Sequence, residues 1–147
     1  MARQQYLVLH GPNLNLLGTR EPAVYGALTL KELNQKLSAF AKSEGFRLKI
    51  KQSNSEGELI DLLHESRAWA NGVVFNPGAY THYSYALRDA VAAIEIPTVE
   101  VHLSDIQKRE DFRKISVIAE VCIEQVSGLG LQSYIEGLKI LRKREKK

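Results

Sequence analysis

The chain has 147 residues, 44% of them hydrophobic and 25% charged, which suits one domain with a real core (1–147) and is too short for two. No apolar run approaches the roughly twenty residues of a membrane span, and the single cysteine, Cys122, rules out an internal disulfide. The formal charge is +3 with a pI near 9.0, and much of the excess lies in a basic C-terminal tail from about residue 139, formed by Lys139, Arg142, Lys143, Arg144, Lys146 and Lys147. Such a cluster reads either as a nucleic-acid footprint or as the solvated end of a helix, whose dipole favours cations there; the second reading is preferred. The first residues lack the apolar stretch of a secretory signal, so the expected location is the cytoplasm.

Tyr6-Leu7-Val8-Leu9 is a short apolar run before a Gly-Pro turn signal, hence a buried strand. Residues 11–28 form a long loop, a feature that in a compact domain is functional or mobile. Thr29 with Glu32 reads as a capping box, opening a helix that carries Leu30, Leu33, Leu37, Phe40 and Ala41 and stops at Gly45. Phe46, Leu48 and Ile50 alternate with Arg47, Lys49 and Lys51, the pattern of a half-exposed edge strand. Ser55 and Glu58 make a second capping box, with a helix to about Trp69. Gly72–Phe75 is a third strand, followed by a helix from about His82 to Ile94. Pro97–Val101 is a fourth strand, 106–114 a short helix, Val121–Val126 a fifth strand and 131–144 a last helix. Five strands separated by helices imply a three-layer α/β sandwich with a parallel sheet, most naturally in the flavodoxin-like order 2-1-3-4-5. Ligands of such sheets bind beyond the carboxyl ends of the strands, near the switch point between strands 1 and 3. The relevant segments are 10–26, 76–82 and 102–113.

Those segments hold the least ordinary residues. Asn13, Asn15, Arg20, Glu21 and Tyr25 gather on the first loop, with Pro22 and Gly26 bracketing Tyr25, so that the loop can close as a lid. A tyrosine with a reference pKa near 10 is ionised in only about one molecule in a thousand at pH 7, and a guanidinium five residues away, that of Arg20, would stabilise the phenolate. The plain alternative is a solvated arginine and a tyrosine that packs the loop down. Asn76 sits at a strand tip facing a ligand. His82 opens a helix, with Asp89 two turns up the same side; a cap and a surface ion pair explain these two equally well. Glu100 and His102 are i, i+2 on a strand and share a face. A carboxylate beside an imidazole orients it and holds its proton, which is how a histidine acts as a general acid near neutral pH; a structural ion pair is the competing view. Arg109 and Arg113 lie i, i+4 on one helical face, fit for an anionic ligand or simply solvated. His10 and Cys122 read as structural and His64 as exposed. The histidines and the cysteine show no metal-ligand spacing, and no phosphate-binding loop is present.

Taken together, Gly11-Pro12-Asn13-Leu14-Asn15, the lid Arg20-Glu21-Pro22-Ala23-Val24-Tyr25-Gly26, Asn76-Pro77-Gly78-Ala79-Tyr80-Thr81-His82, Ala86-Leu87-Arg88-Asp89-Ala90, Glu100-Val101-His102 and Gln132-Ser133-Tyr134 resemble the type II 3-dehydroquinate dehydratases over about residues 6–140. The resemblance implies a cofactor-free hydro-lyase with no metal, which eliminates water from 3-dehydroquinate to give 3-dehydroshikimate through an enolate. That step belongs to the shikimate pathway of chorismate and aromatic amino acid biosynthesis. It further implies Tyr25 as base activated by Arg20, Asn13 as holder of an enolate-stabilising water, and His102, oriented by Glu100, as proton donor to the departing hydroxyl. Asn76, His82 and Arg113 would bind substrate hydroxyls, the backbone of Leu103 and Ser104 the carboxylate, and Arg109 would help close the lid. Asp89 would come from a neighbouring subunit of a trimer, with trimers packed into a dodecamer. The chain departs from the commoner family pattern at His10, Tyr83 and Ile115, none of which carries chemistry in this reading. Two other readings use the same fold, a flavin- or protein-binding module and a nucleic-acid-binding domain led by the basic tail; no nucleic acid or membrane partner is expected on the preferred one.

Overall fold

The computed structural model describes residues 3–19, 21, 23 and 27–145. Five parallel strands form one sheet in the order β2-β1-β3-β4-β5: β1 (Gln5–His10), β2 (Arg47–Gln52), β3 (Gly72–Asn76), β4 (Thr98–Val101) and β5 (Glu124–Val126). Among the described residues four helices cover it, α1 (Leu30–Glu44), α2 (Glu56–Ser66), α3 (Tyr85–Ile94) and α4 (Leu131–Glu145). This is the flavodoxin-like three-layer sandwich that the strand–helix alternation implies.

The layers follow from the two-residue period of the strands. Tyr6, Val8, Val74, Val99 and Val101 point to one face and pack with Leu33 and Leu37 of α1 and Tyr134, Leu138 and Leu141 of α4. Leu7, Leu9, Val73 and Phe75 point to the other and pack with Leu59 and Leu63 of α2 and Leu87 and Val91 of α3. Central strands apolar on both faces have to lie between two helix layers. Truncating one of the fully buried leucines, such as Leu37 or Leu63, to alanine would cost about 2–5 kcal/mol. β2 alternates exposed and half-buried residues, as an edge strand does.

Local chemistry sets the helix starts. Thr29 and Glu32 form the reciprocal capping box expected for α1, and Gly45 closes that helix in the left-handed region. The second box forms only by half. Ser55 accepts from the Glu58 N–H, but the Ser55 N–H is taken by Ser53 Oγ at 3.0 Å. α3 does not begin at His82, because residues Gly78–His82 wind as a 3-10 turn and the cap is Ser84, whose hydroxyl accepts from Leu87 N–H. His82 and Asp89 therefore do not share a helical face.

Two further expectations are corrected. The short helix over 106–114 is two separate 3-10 turns, Ile106–Lys108 and Asp111–Arg113, with extended backbone at Arg109 (φ −100°, ψ −174°). Arg109 and Arg113 are thus not i, i+4 partners on one helix. The fifth strand starts at Glu124 rather than Val121, since Ala119–Val121 is another 3-10 turn. Ser116 Oγ accepts from the N–H groups of both Ile118 and Ala119, which winds the chain there, and sheet bonding resumes where Ile123 N–H donates to Thr98.

Candidate active site

Register aligns the tips of the central strands. His10 pairs with Asn76 and Phe75 with Glu100, so the chain leaves β1, β3 and β4 at one level. The first two tips are drawn close. Gly11 N–H donates to the Asn76 carbonyl at 2.7 Å, and a Cβ on Gly11 would lie 2.7 Å from the Pro77 carbonyl carbon. No side chain fits there without displacing backbone. Above this junction is a pocket lined by Asn13, Asn76, His82 and His102, by Leu103 and Ser104, and by Arg109 and Arg113. These are the segments singled out by the strand-tip rule. Among the described residues, four cationic or potentially cationic side chains line it and no carboxylate does, which favours an anionic ligand.

The pocket floor holds a buried acid–imidazole pair. Glu100 is wholly buried and His102 6% exposed, and His102 Nε2–H donates to Glu100 Oε2 at 2.5 Å. The same carboxylate accepts from Thr81 Oγ1, Ser116 Oγ (2.8 Å) and Gln125 Nε2 (3.1 Å). Burial alone would push the Glu100 carboxyl up, but the hydrogen bond and charge of His102 and the bonds from Thr81 and Ser116 outweigh it and hold it below the usual carboxylate range. A buried anion with four donors is satisfied as such a group has to be. Because Nε2 is engaged with Glu100, Nδ1 is the ring nitrogen left for a ligand in the pocket.

His82 is fixed from the other side. Its Nδ1–H donates to the Ile115 carbonyl at 2.7 Å, and its ring meets the Phe112 edge at 6.0 Å. Burial draws this imidazole below its usual range, partly opposed by the bond to Ile115, so its neutral form offers Nε2 as an acceptor. Arg113 sits at 4.8 Å over the Phe112 ring and pairs with Glu110, while Arg109 reaches Ser104 Oγ at 3.4 Å. The carbonyls of Leu103 and Ser104 are occupied by Gly130 and Gly128 N–H groups.

Asn13 takes a left-handed conformation, φ 69°, and its N–H donates to Asn54 Oδ1 at 2.9 Å. Gln52 Nε2 also donates to Asn54 Oδ1 and to the Gly11 carbonyl. Asn76 is 3% exposed; its Oδ1 accepts from Gly78 N–H and its Nδ2 donates to Tyr134 Oη. Arg20 and Tyr25 lie outside the described residues. Asp89 is exposed on α3 and does not line the pocket of its own chain. Among the described residues, no three histidine, cysteine, aspartate or glutamate side chains converge as a metal site would need, and no helix is long and apolar enough to cross a membrane.

Sequence reasoning missed the residues that hold the site from behind: Thr81, Ser116 and Gln125 around Glu100, and Asn54 beside Asn13. All act from far along the chain, beyond what a local pattern reveals. His10 reads as structural and is buried. His64 is exposed. Cys122 is partly buried against the core, and that burial raises its thiol to about 12.

Comparison with known proteins gives a consistent result. The profile of the family described as dehydroquinase class II matches residues 4–142. A 3-dehydroquinate dehydratase of Pelotomaculum thermopropionicum is 63% identical over 133 residues, which is 90% of this chain and 92% of that protein. One from Bacillus pumilus is 59% identical, covering 88% of each. The crystal structure of a type II dehydroquinase from Butyrivibrio crossotus superposes with a TM-score of 0.94 at 44% identity, over 95% of this chain and 98% of the other.

Proposed function

We propose, from the premise that this chain belongs to the class II dehydroquinase family, that it is a hydro-lyase that dehydrates 3-dehydroquinate to 3-dehydroshikimate. The observation that carries the reading is the buried Glu100–His102 pair, opening on a pocket whose charged lining is cationic. The substrate is a carboxylate, a ketone and a set of hydroxyls. The proton beside its ketone is weakly acidic and its leaving hydroxide is poor, so the reaction needs a base, a stabilised enolate and a proton donor.

The roles divide as follows. The Tyr25 phenolate, kept ionised by Arg20, removes the proton next to the ketone. The C–H electron pair becomes an enolate, stabilised by a water held on Asn13. The enolate collapses, the C–O bond breaks, and His102 gives its Nδ1 proton to the departing hydroxyl as water. Tyr25 then returns its proton to solvent and His102 is reprotonated, which balances the cycle. Glu100 keeps the imidazole in place. Asn76, His82 and Arg113 bind substrate hydroxyls, the Leu103 and Ser104 N–H groups hold the carboxylate, and Arg109 closes over it with the 20–26 segment. Arginine suits this work because its donors are fixed in a planar fork. No step calls for a cofactor or metal.

The whole chain, 1–147, acts as one catalytic domain in the cytoplasm, in the shikimate pathway to chorismate and the aromatic amino acids. The basic stretch from about 139 is the solvated end of α4, with no nucleic acid or membrane as partner. The working assembly is a dodecamer of trimers in which Asp89 of a neighbouring copy completes each site. Tyr83, Tyr85, Phe112 and Ile115 support this part, being 58–66% exposed around His82 and the start of α3, where large apolar side chains mark a surface that is covered.

The test is turnover. Purified protein mixed with 3-dehydroquinate and a chelator is expected to produce the ultraviolet absorbance of a conjugated enone, and borohydride added with substrate is expected to leave activity intact. Folded protein that produces no enone contradicts the assignment, and loss of activity on borohydride treatment would point to an imine mechanism instead.

A further inference from the structure

The pocket residue Asn76 is tied to a buried polar chain that runs away from the site. Gly78 N–H can only donate, so the Asn76 atom 3.0 Å from it is the amide oxygen. The Nδ2 group then faces Tyr134 at 2.9 Å and donates to the phenolic oxygen. That oxygen has one proton of its own, and the further partner is His10 Nδ1 at 2.9 Å. If Nδ1 accepts that proton, the neutral ring carries its hydrogen on Nε2, which meets Asn34 Oδ1 at 2.8 Å. One backbone N–H thus fixes every proton in the chain, from Asn76 through Tyr134 and His10 to Asn34 on α1. Tyr134 and His10 are fully buried and Asn76 nearly so, so no water can substitute for a lost partner.

We propose that Tyr134 and His10 are positioning residues for the reaction, locking the Asn76 amide in the single orientation that receives substrate; this rests on the dehydratase reading, in which Asn76 binds a substrate hydroxyl. A protonated His10 would put two donors on the phenolic oxygen and strand the tyrosine hydrogen in the core. The environment opposes that state, since burial pulls the His10 imidazole down to about 4 despite the bond to Asn34. An amide held at both ends loses no rotational freedom when a ligand binds, which is the usual gain from preorganisation. Without Tyr134 Oη the Nδ2 group lacks its buried acceptor, and the Gly78 N–H alone is left to hold the amide.

Tyr134→Phe keeps the ring and removes the one atom at issue. In steady-state assays it is expected to raise KM for 3-dehydroquinate about tenfold, the effect of one hydrogen bond of about 1.4 kcal/mol, with kcat changed much less. The effect is expected to vanish when Tyr134→Phe is made in an Asn76→Ala background, because nothing is then left to orient. The same factor in both backgrounds, or a fall in kcat alone, overturns the proposal. A second measurement needs no turnover. Nitrogen-15 shifts of His10 in the ligand-free protein, assigned with a His10→Gln variant, are expected to show Nδ1 unprotonated and Nε2–H at pH 7. A proton on Nδ1 overturns the chain whatever the kinetics show, whereas a wild type that forms no enone but keeps this tautomer removes the functional reading alone.

Discussion

The floor and the rim of the pocket are built differently. The floor, Asn76, Glu100 and His102, lies at the ends of central strands, is nearly inaccessible to solvent and has hydrogen bonds to distant parts of the chain. The rim, Arg109 and Arg113, rides on a segment of two 3-10 turns. There the Arg113 partner, Glu110, is 58% exposed. An ion pair in solvent is worth little, whereas a buried charge with four donors is expensive to disturb. The floor is therefore preformed for chemistry that needs a fixed proton donor, and the rim can adjust as substrate enters.

That contrast sets the order of expected effects. Removing the proposed proton donor strikes the floor hardest: His102→Gln is expected to lower kcat by about a thousandfold, within the range for general acids, with KM changed only a few-fold. Glu100→Gln comes next. It removes the charge that Thr81, Ser116, Gln125 and His102 all address and is expected to cost about a hundredfold in kcat and roughly 2–4 kcal/mol in stability, seen as a lower urea midpoint. Equal stability of this variant and the wild type would mean that the floor is not held by its charge. Arg113→Ala on the rim is expected to raise KM about tenfold while stability moves by less than about 0.5 kcal/mol. A large loss of stability there would erase the distinction between the two regions.

A separate effect, read in stability alone, is a pH dependence that belongs to the wall behind the floor. His10 is held at about 4 when folded, against an ordinary 6.5, so between these values the unfolded chain binds more protons. Stability therefore rises with pH across that window, is fully present above about 6.5, and is lost as pH falls toward 4, by about 3 kcal/mol in all. Glu100, lowered when folded, acts in the same direction but below the ordinary carboxylate pKa. Unfolding titrations at pH 4.5 and 7 are expected to differ in the wild type and to differ less in His10→Gln; equal slopes would contradict the burial of a neutral His10.

The same contrast explains what could be read from the sequence. β1, β3 and β4 are written as apolar runs ending in polar residues, and their order and the location of the site at their tips follow from topology. The Glu100–His102 pair follows from strand periodicity. The rim reads as one helix, but Arg109 is extended, and the bonds that hold the segment, from Arg109 to Ser104 Oγ, from Gln107 to the Lys114 carbonyl and from His82 to the Ile115 carbonyl, are encoded in no local pattern. The start of α3 reads as His82, but the hydroxyl that accepts the Leu87 N–H and so caps the helix belongs to Ser84. The residues behind the floor join positions 16 to 124 apart in the chain, beyond the reach of any window. The five-residue spacing of Arg20 and Tyr25 allows a stabilised phenolate, and their roles in catalysis come from the family resemblance.

In the proposed reaction, the division of labour is that proton removal and hydroxide departure are separate acts of separate residues, the second belonging to His102. It is tested most directly by incubating His102→Gln with 3-dehydroquinate in heavy water over many catalytic lifetimes and examining the recovered substrate by NMR. Deuterium at the carbon next to the ketone, with almost no enone, is the expected result, because Tyr25 would still form the enolate and only the leaving group would lack its proton. Enone formation at the wild-type rate, or substrate recovered with neither deuterium nor elimination, would contradict it.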